Sequence, residues 1–69
     1  MFDREAFHEL VLSEGKTLKD VAEHLKINTS TLYRKMYGVS DFTRDEIQEL
    51  CKYLSIKNPI DIFFKEESA

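Results

Sequence analysis

The stretch TLKDVAEHLKINTSTLYRKMY, residues 17–37, decides the fold of this chain. Thr17 and Asp20 have the spacing of a capping box, which predicts that a helix begins here. The apolar residues that follow have the i, i+3, i+4, i+7 spacing of a single helix face: Leu18, Val21, Ala22 and Leu25. This spacing predicts an amphipathic helix of about nine residues.

A second helix follows after a turn of three residues. Asn28 is its predicted cap, Leu32 and Met36 lie four apart on one face, and Gly38 ends it, which gives a helix near 29–37. Ala22 is small enough to let this helix cross the first one closely. Two helices crossing at about 90–120° through a tight turn form a helix-turn-helix, whose second helix fits a major groove about 12 Å wide.

Helix signals also dominate the rest of the chain. A first helix follows Asp3, a second capping box joins Thr43 to Glu46, and Asn58 precedes a proline expected at the first position of a last short helix. No segment alternates with period two for long enough to predict a strand. We therefore expect an all-α fold, five short helices around one core, in a single domain over residues 1–69.

Helices this short need tertiary packing to be stable, so their apolar faces must meet. The residues expected in the core are Phe7, Leu10, Leu18, Val21, Ala22, Leu25, Ile27, Leu32, Met36, Ile47, Leu50, Leu54 and Ile60. Phe63 is also expected to point inward.

Composition excludes several classes of protein. One cysteine in 69 residues cannot form an internal disulfide, and no apolar run approaches the ~18 residues of a membrane span. We therefore expect a soluble, cytoplasmic protein without a cofactor or structural metal. The net charge of −3 is uneven, because residues 15–40 carry five bases and two acids, whereas both flanks are acidic. Such a basic island is either an electrostatic footprint or an ordinary set of solvated helix faces.

The pattern of residues 17–63 resembles the phage Cro/repressor (XRE-type) helix-turn-helix family. The residues that carry the resemblance are Leu18-x-x-Val21-Ala22-x-x-Leu25-x-Ile27-x-x-x-x-Leu32-Tyr33-Arg34-Lys35, with the fourth and fifth helices following in order. The resemblance implies a lambda-repressor-like fold in which helices 2 and 3 form the motif, and binding to double-stranded DNA at an operator. One departure is Lys26, where the family usually has a glycine with a left-handed backbone.

The resemblance also assigns roles to residues. The residues that it implies would read bases are Thr29, Ser30, Tyr33 and Arg34. Hydroxyls and a guanidinium suit base edges chemically, although a solvated helix face would have the same polarity. Contacts with DNA phosphates fall to Lys16, Thr17, Lys19, Lys35, Tyr37 and Ser40. For the lysines the alternative is solubility alone, and for Tyr37 it is packing at the edge of the core.

The carboxyl-terminal segment is more apolar than one short helix requires. Ile62 and Phe64 are candidates for a homodimer interface, because such domains read symmetric operators as dimers. The alternative is that both fold back onto the first helix near Phe2 or Phe7.

The sequence contains no catalytic constellation. His8, His24 and Cys51 fall on three different predicted helices without ligand or nucleophile spacing, and Cys51 lies on an apolar face. A small non-enzymatic, Cro-like transcriptional regulator is the favoured interpretation. The alternatives are a helix-turn-helix that binds another protein, and an antitoxin.

Overall fold

The structure, a computed structural model, describes residues 1–65 of the chain. Within them the chain forms five helices and no strand, which confirms the predicted all-α fold. The helices are α1 (Arg4–Ser13), α2 (Leu18–His24), α3 (Thr29–Met36), α4 (Arg44–Tyr53) and α5 (Ile60–Phe63). None of these helices has the length and apolar character that crossing a bilayer requires.

The predicted caps of α1 and α2 are present. The carboxylate of Asp3 accepts a hydrogen bond from the Ala6 N–H at 3.1 Å and so caps α1. At α2, Thr17 Oγ1 accepts from the Asp20 N–H at 3.2 Å, and Asp20 Oδ2 accepts from the Thr17 N–H at 2.9 Å. These bonds satisfy N–H groups that have no partner within the helix, so the helix start is determined locally.

The caps of α3 and α4 are also those predicted. Asn28 Oδ1 accepts from the Thr31 N–H at 2.8 Å. Thr43 and Glu46 form the second capping box, with bonds of 3.2 and 2.8 Å. The start of α3, on which the candidate site depends, therefore follows from residues within three positions of one another.

The start of α5 differs from the prediction. Pro59 is the residue before the helix rather than its first residue, and Asn58 makes no capping hydrogen bond. The Asn58 side-chain amide donates instead to Asp61 Oδ2 at 3.0 Å. The helix consequently spans one turn, Ile60–Phe63.

The core is formed by the apolar faces of all five helices. The buried residues are Phe7, Val11, Val21, Ala22, Leu32, Met36, Leu50, Leu54 and Phe63. Half-buried side chains packed around them include the remaining predicted core residues Leu10, Leu18, Leu25, Ile27 and Ile47. The prediction for Ile60 was wrong, because this side chain is 62% exposed. It lies on the opposite side of the one-turn helix from Ile62, which packs against the core.

Four aromatic rings pack together where α1 and α5 meet the loop between α3 and α4. Phe2 lies 5.2 Å from Phe7 and 5.0 Å from Phe42 between ring centroids, and Phe42 lies 5.4 Å from Phe63. Centroid separations of this size are those of favourable tilted and edge-to-face pairs. The cluster holds the segment before α1, the α3–α4 loop and α5 against one another.

Candidate nucleic-acid interface

Helices α2 and α3 form the helix-turn-helix that the sequence predicts. Lys26, in the turn, has a φ of 60°, the left-handed conformation that glycine adopts more easily. The Lys26 N–H donates to the Glu23 carbonyl at 3.1 Å and the Ile27 N–H to the Ala22 carbonyl at 3.0 Å, which closes the end of α2. The side chain of Ala22 is 1% exposed where α3 packs on α2.

One side of α3 is buried in the core and the other faces solvent. Leu32 and Met36 are buried in the core, which sets the rotation of the helix about its axis. The side chains predicted to read bases all lie on the exposed side: Thr29, Ser30, Tyr33 and Arg34. The structure therefore brings these four residues together on one solvent-facing surface.

Ser30 and Arg34 differ in how they are engaged. The Ser30 hydroxyl donates to Asn28 Oδ1 at 2.8 Å, so its hydrogen is used and its oxygen is left to accept. In this rotamer Ser30 suits a base amino group of adenine or cytosine. Within residues 1–65, the Arg34 guanidinium has no ion pair and no hydrogen bond, so its fork of donors is available for a guanine edge. The role of Asn28 in holding Ser30 was not anticipated from the sequence.

Lys35, expected at a DNA phosphate, is engaged inside the protein. Its Nζ donates to Glu46 Oε1 at 2.8 Å and to the Asp41 carbonyl at 3.0 Å, and its side chain is only 10% exposed. The reason is its place on the side of α3 that faces the first turn of α4. These contacts favour a structural role for Lys35, and its contact with a DNA phosphate stays a prediction.

The hydrogen-bond donors around Glu46 stabilise the ionised form of its carboxylate. Its partial burial would raise the pKa, but hydrogen bonds from Lys35 and from the Thr43 backbone N–H outweigh this effect. The net result is a pKa below the ordinary value of a glutamate. The Glu46 carboxylate thus remains charged at neutral pH.

Lys16 also makes contacts within the protein. Its Nζ lies 4.8 Å from the centroid of the Tyr53 ring, at the end of α4, and 3.4 Å from the Glu14 carbonyl oxygen. These contacts favour a structural role for Lys16 over a DNA contact. Tyr53 also stacks on His24 with 4.0 Å between ring centroids, and His24 Nε2 lies 3.2 Å from Glu49 Oε2.

The other expected phosphate contacts are at two places beside α3. Thr17 and Lys19 are exposed at the start of α2, where Thr17 Oγ1 is already used as a cap. Tyr37 and Ser40 are exposed just after α3. Arg4 was not singled out from the sequence, and its guanidinium carbon lies 4.2 Å from the centroid of the Tyr37 ring. A cation at the first position of α1 was the available signal, since the helix dipole disfavours it there.

The two candidates for a dimer interface are separated by the fold. Ile62 is half-buried against the core, and its carbonyl accepts from the Asp3 N–H at 2.7 Å. Phe64 is 57% exposed and lines an open groove of about 540 Å³ together with Met1 and Phe42. The alternative in which the segment folds back onto the start of the chain therefore describes Ile62 better than Phe64.

Cys51 and His8 lie on different helices, α4 and α1, as the sequence predicts. Cys51 is half-buried, and burial raises the pKa of its thiol, which disfavours the reactive thiolate. His8 is exposed on α1. Within residues 1–65 no three histidine, cysteine or acidic side chains are placed to hold a metal ion together.

Comparison with known families agrees with this geometry. No curated protein and no solved structure matches the chain significantly. A family model, described as the Cro/C1-type HTH DNA-binding domain, matches residues 8–64. The matched segment contains α2, the turn and α3, and extends through α4 and α5. The chain therefore belongs to the Cro/C1-type family of helix-turn-helix DNA-binding domains.

Proposed function

We propose that this protein is a sequence-specific transcriptional regulator of the phage or prophage Cro-like type. It acts by occupying an operator in double-stranded DNA, with α3 in the major groove, and so blocks or aids the polymerase sterically. In this arrangement residues at the start of the second helix of the motif contact base edges, as in other helix-turn-helix proteins.

The observation that carries this proposal is the exposed side of α3. Burial of Leu32 and Met36 sets the helix so that Thr29, Ser30 and Arg34 are exposed at its start and on its outer side. Arg34 can bond guanine O6 and N7 in a bidentate manner, and the Thr29 methyl can pack on a thymine methyl. Together these groups can distinguish base pairs.

The charge around the motif supports binding to a particular DNA sequence rather than to any duplex. Of the five bases in residues 15–40, Lys35 is paired with Glu46 and Lys16 lies against Tyr53. The exposed bases that remain are Lys19, Lys26 and Arg34. Few phosphates would then be neutralised, so affinity for random duplex should be low and its salt dependence shallow.

We further propose that the protein binds its operator as a homodimer. The exposed ring of Phe64 and its groove support this, because a large apolar side chain at the surface often marks an interface. A two-fold dimer would place two copies of α3 on half-sites about one helical turn apart, and its operator would be palindromic.

The test is selection of duplexes from a random pool with the purified protein, followed by titration of the enriched sequence. We expect a palindrome to be enriched and log K to fall linearly with log salt. The absence of binding to any duplex, even at low salt, would show that the motif serves protein interaction instead. Enrichment of a single unpaired half-site would retain DNA binding and remove the dimer.

A further inference from the structure

Arg4 and Tyr37 form a contact between the first and third helices. Arg4 is the first residue of α1, and Tyr37 directly follows α3. The guanidinium carbon lies 4.2 Å from the centroid of the phenol ring, the arrangement of a cation–π pair. Both side chains are exposed, Tyr37 by 61%. The contact thus brings a cation from an acidic segment of the chain to the end of α3.

The stability of α1 does not account for a cation at this position. The start of a helix is the positive end of its dipole, which favours acids and disfavours bases. Asp3 already caps α1, and Glu5 is the acid in its first turn. Within residues 1–65 no carboxylate lies within ion-pair distance of Arg4. The guanidinium therefore lies over a ring and, within the described residues, has no anionic partner.

Tyr37 continues the side of α3 that faces solvent. Thr29, Tyr33 and Tyr37 are four residues apart, so they follow one another along one face of the helix. Thr29 and Tyr37 are eight positions apart, which is about 12 Å along the helix axis. In the proposed arrangement, with Thr29 at the base edges, Tyr37 would lie two helical turns away, toward the edge of the groove where the phosphates lie.

We propose that the Arg4 guanidinium, held by Tyr37, binds a backbone phosphate of duplex DNA at the carboxyl-terminal end of α3. This rests on the DNA-binding function proposed above and adds a contact outside the helix-turn-helix. The Tyr37 ring lies against the guanidinium carbon, and a guanidinium held over a ring can still donate from its N–H groups to two phosphate oxygens. Arg4 would thereby add a phosphate contact at an end of α3 where Lys35 is paired with Glu46.

The test compares Arg4→Ala with Lys57→Ala, which removes the same charge from the α4–α5 loop. Each variant is titrated with the selected duplex and with an unrelated duplex over a range of salt. Arg4→Ala should weaken binding to both duplexes about tenfold and reduce the slope of log K against log salt by about one. Lys57→Ala should keep the wild-type slope.

Tyr37 supplies a second measurement. Tyr37→Leu removes the ring on which Arg4 stacks, so the double variant with Arg4→Ala should lose less affinity than the two single losses combined. Arg4→Lys, which keeps the charge but not the planar fork, should fall between wild type and Arg4→Ala. Because Arg4 is exposed, thermal melting of all variants should stay close to wild type.

The outcomes separate this inference from the function on which it rests. If the wild-type protein binds no duplex, both are overturned. If it binds and Arg4→Ala keeps its affinity and salt slope, the Arg4 contact is overturned and DNA binding stands. A loss restricted to one base position with an unchanged slope would overturn the phosphate contact by making Arg4 a base-reading residue.

Discussion

The ammonium nitrogen of Lys35 lies 2.8 Å from Oε1 of Glu46, which joins the last turn of α3 to the first turn of α4. The same carboxylate oxygen accepts from the Thr43 N–H at 2.8 Å in the capping box. Side-chain exposures of 10% and 15% shield the pair from solvent. The helix proposed to enter DNA is thus held to the rest of the domain by an ion pair as well as by apolar packing.

Glu46→Gln should lower stability at neutral pH by about 1–3 kcal/mol, the cost of losing a hydrogen bond between charged groups. Glutamine can still complete the capping box, so the substitution isolates the pairing with Lys35. Denaturant unfolding gives the free energy. Asp45→Asn removes an exposed charge from the same helix turn and is the matched control, with an expected change within about 0.5 kcal/mol. Equal losses for the two variants would contradict the role given to Lys35.

The same pair makes stability depend on pH. The pKa of Glu46 is lowered in the folded protein, so its contribution is complete above the ordinary value of 4.5 and is lost as the pH falls through the folded pKa. The acid limb of a stability–pH curve should therefore be shallower for Glu46→Gln than for wild type. Parallel acid limbs for the two proteins would contradict this.

Arg34→Ala should weaken binding to the selected operator by about 1–3 kcal/mol and relax the preference at one base position. Lys19→Ala, on the exposed start of α2, should instead weaken all duplexes alike. Competition titrations with single-base variants of the operator distinguish the two patterns. Unchanged operator binding by Arg34→Ala would mean that the rotation of α3 in the groove differs from the one proposed.

Lys26→Gly should raise stability by up to about 1 kcal/mol, because glycine adopts a φ near 60° without the Cβ clash. In a domain of this size that corresponds to a rise in Tm of about 4–8 °C. Glu23→Gly, in the last turn of α2, should act in the opposite direction by up to about 1 kcal/mol. A loss of stability in Lys26→Gly would show that the lysine side chain contributes more than its backbone strain costs.

Phe64→Ser should shift the proposed dimer toward monomer, because it removes the exposed ring from the groove beside Met1 and Phe42. Val39→Ser is the control, since this side chain is 74% exposed but does not line the groove. Sedimentation at micromolar protein, with and without the operator, gives the oligomeric state. A wild-type protein that is monomeric under both conditions would remove the dimer from the proposal.

The helices and the motif could be predicted because their signals are local. The Thr17–Asp20 and Thr43–Glu46 boxes and the Asn28 cap each depend on residues three positions apart. The prediction that Ile60 is buried was wrong because the buried side of α5 has no local signal. A one-turn helix has too little periodicity to define its buried side, which is decided by what Ile62 and Phe63 meet in the core.

The sequence by itself determined where the first four helices begin, the helix-turn-helix, and the residue types on the solvent-facing side of α3, because caps and apolar spacing act over one or two turns. Only the tertiary structure decided which cations remain available. Lys35 and Glu46 are 11 positions apart, and Arg4 and Tyr37 are 33 apart. Whether such side chains meet depends on how whole helices pack, and a charge pattern along the chain does not contain that information.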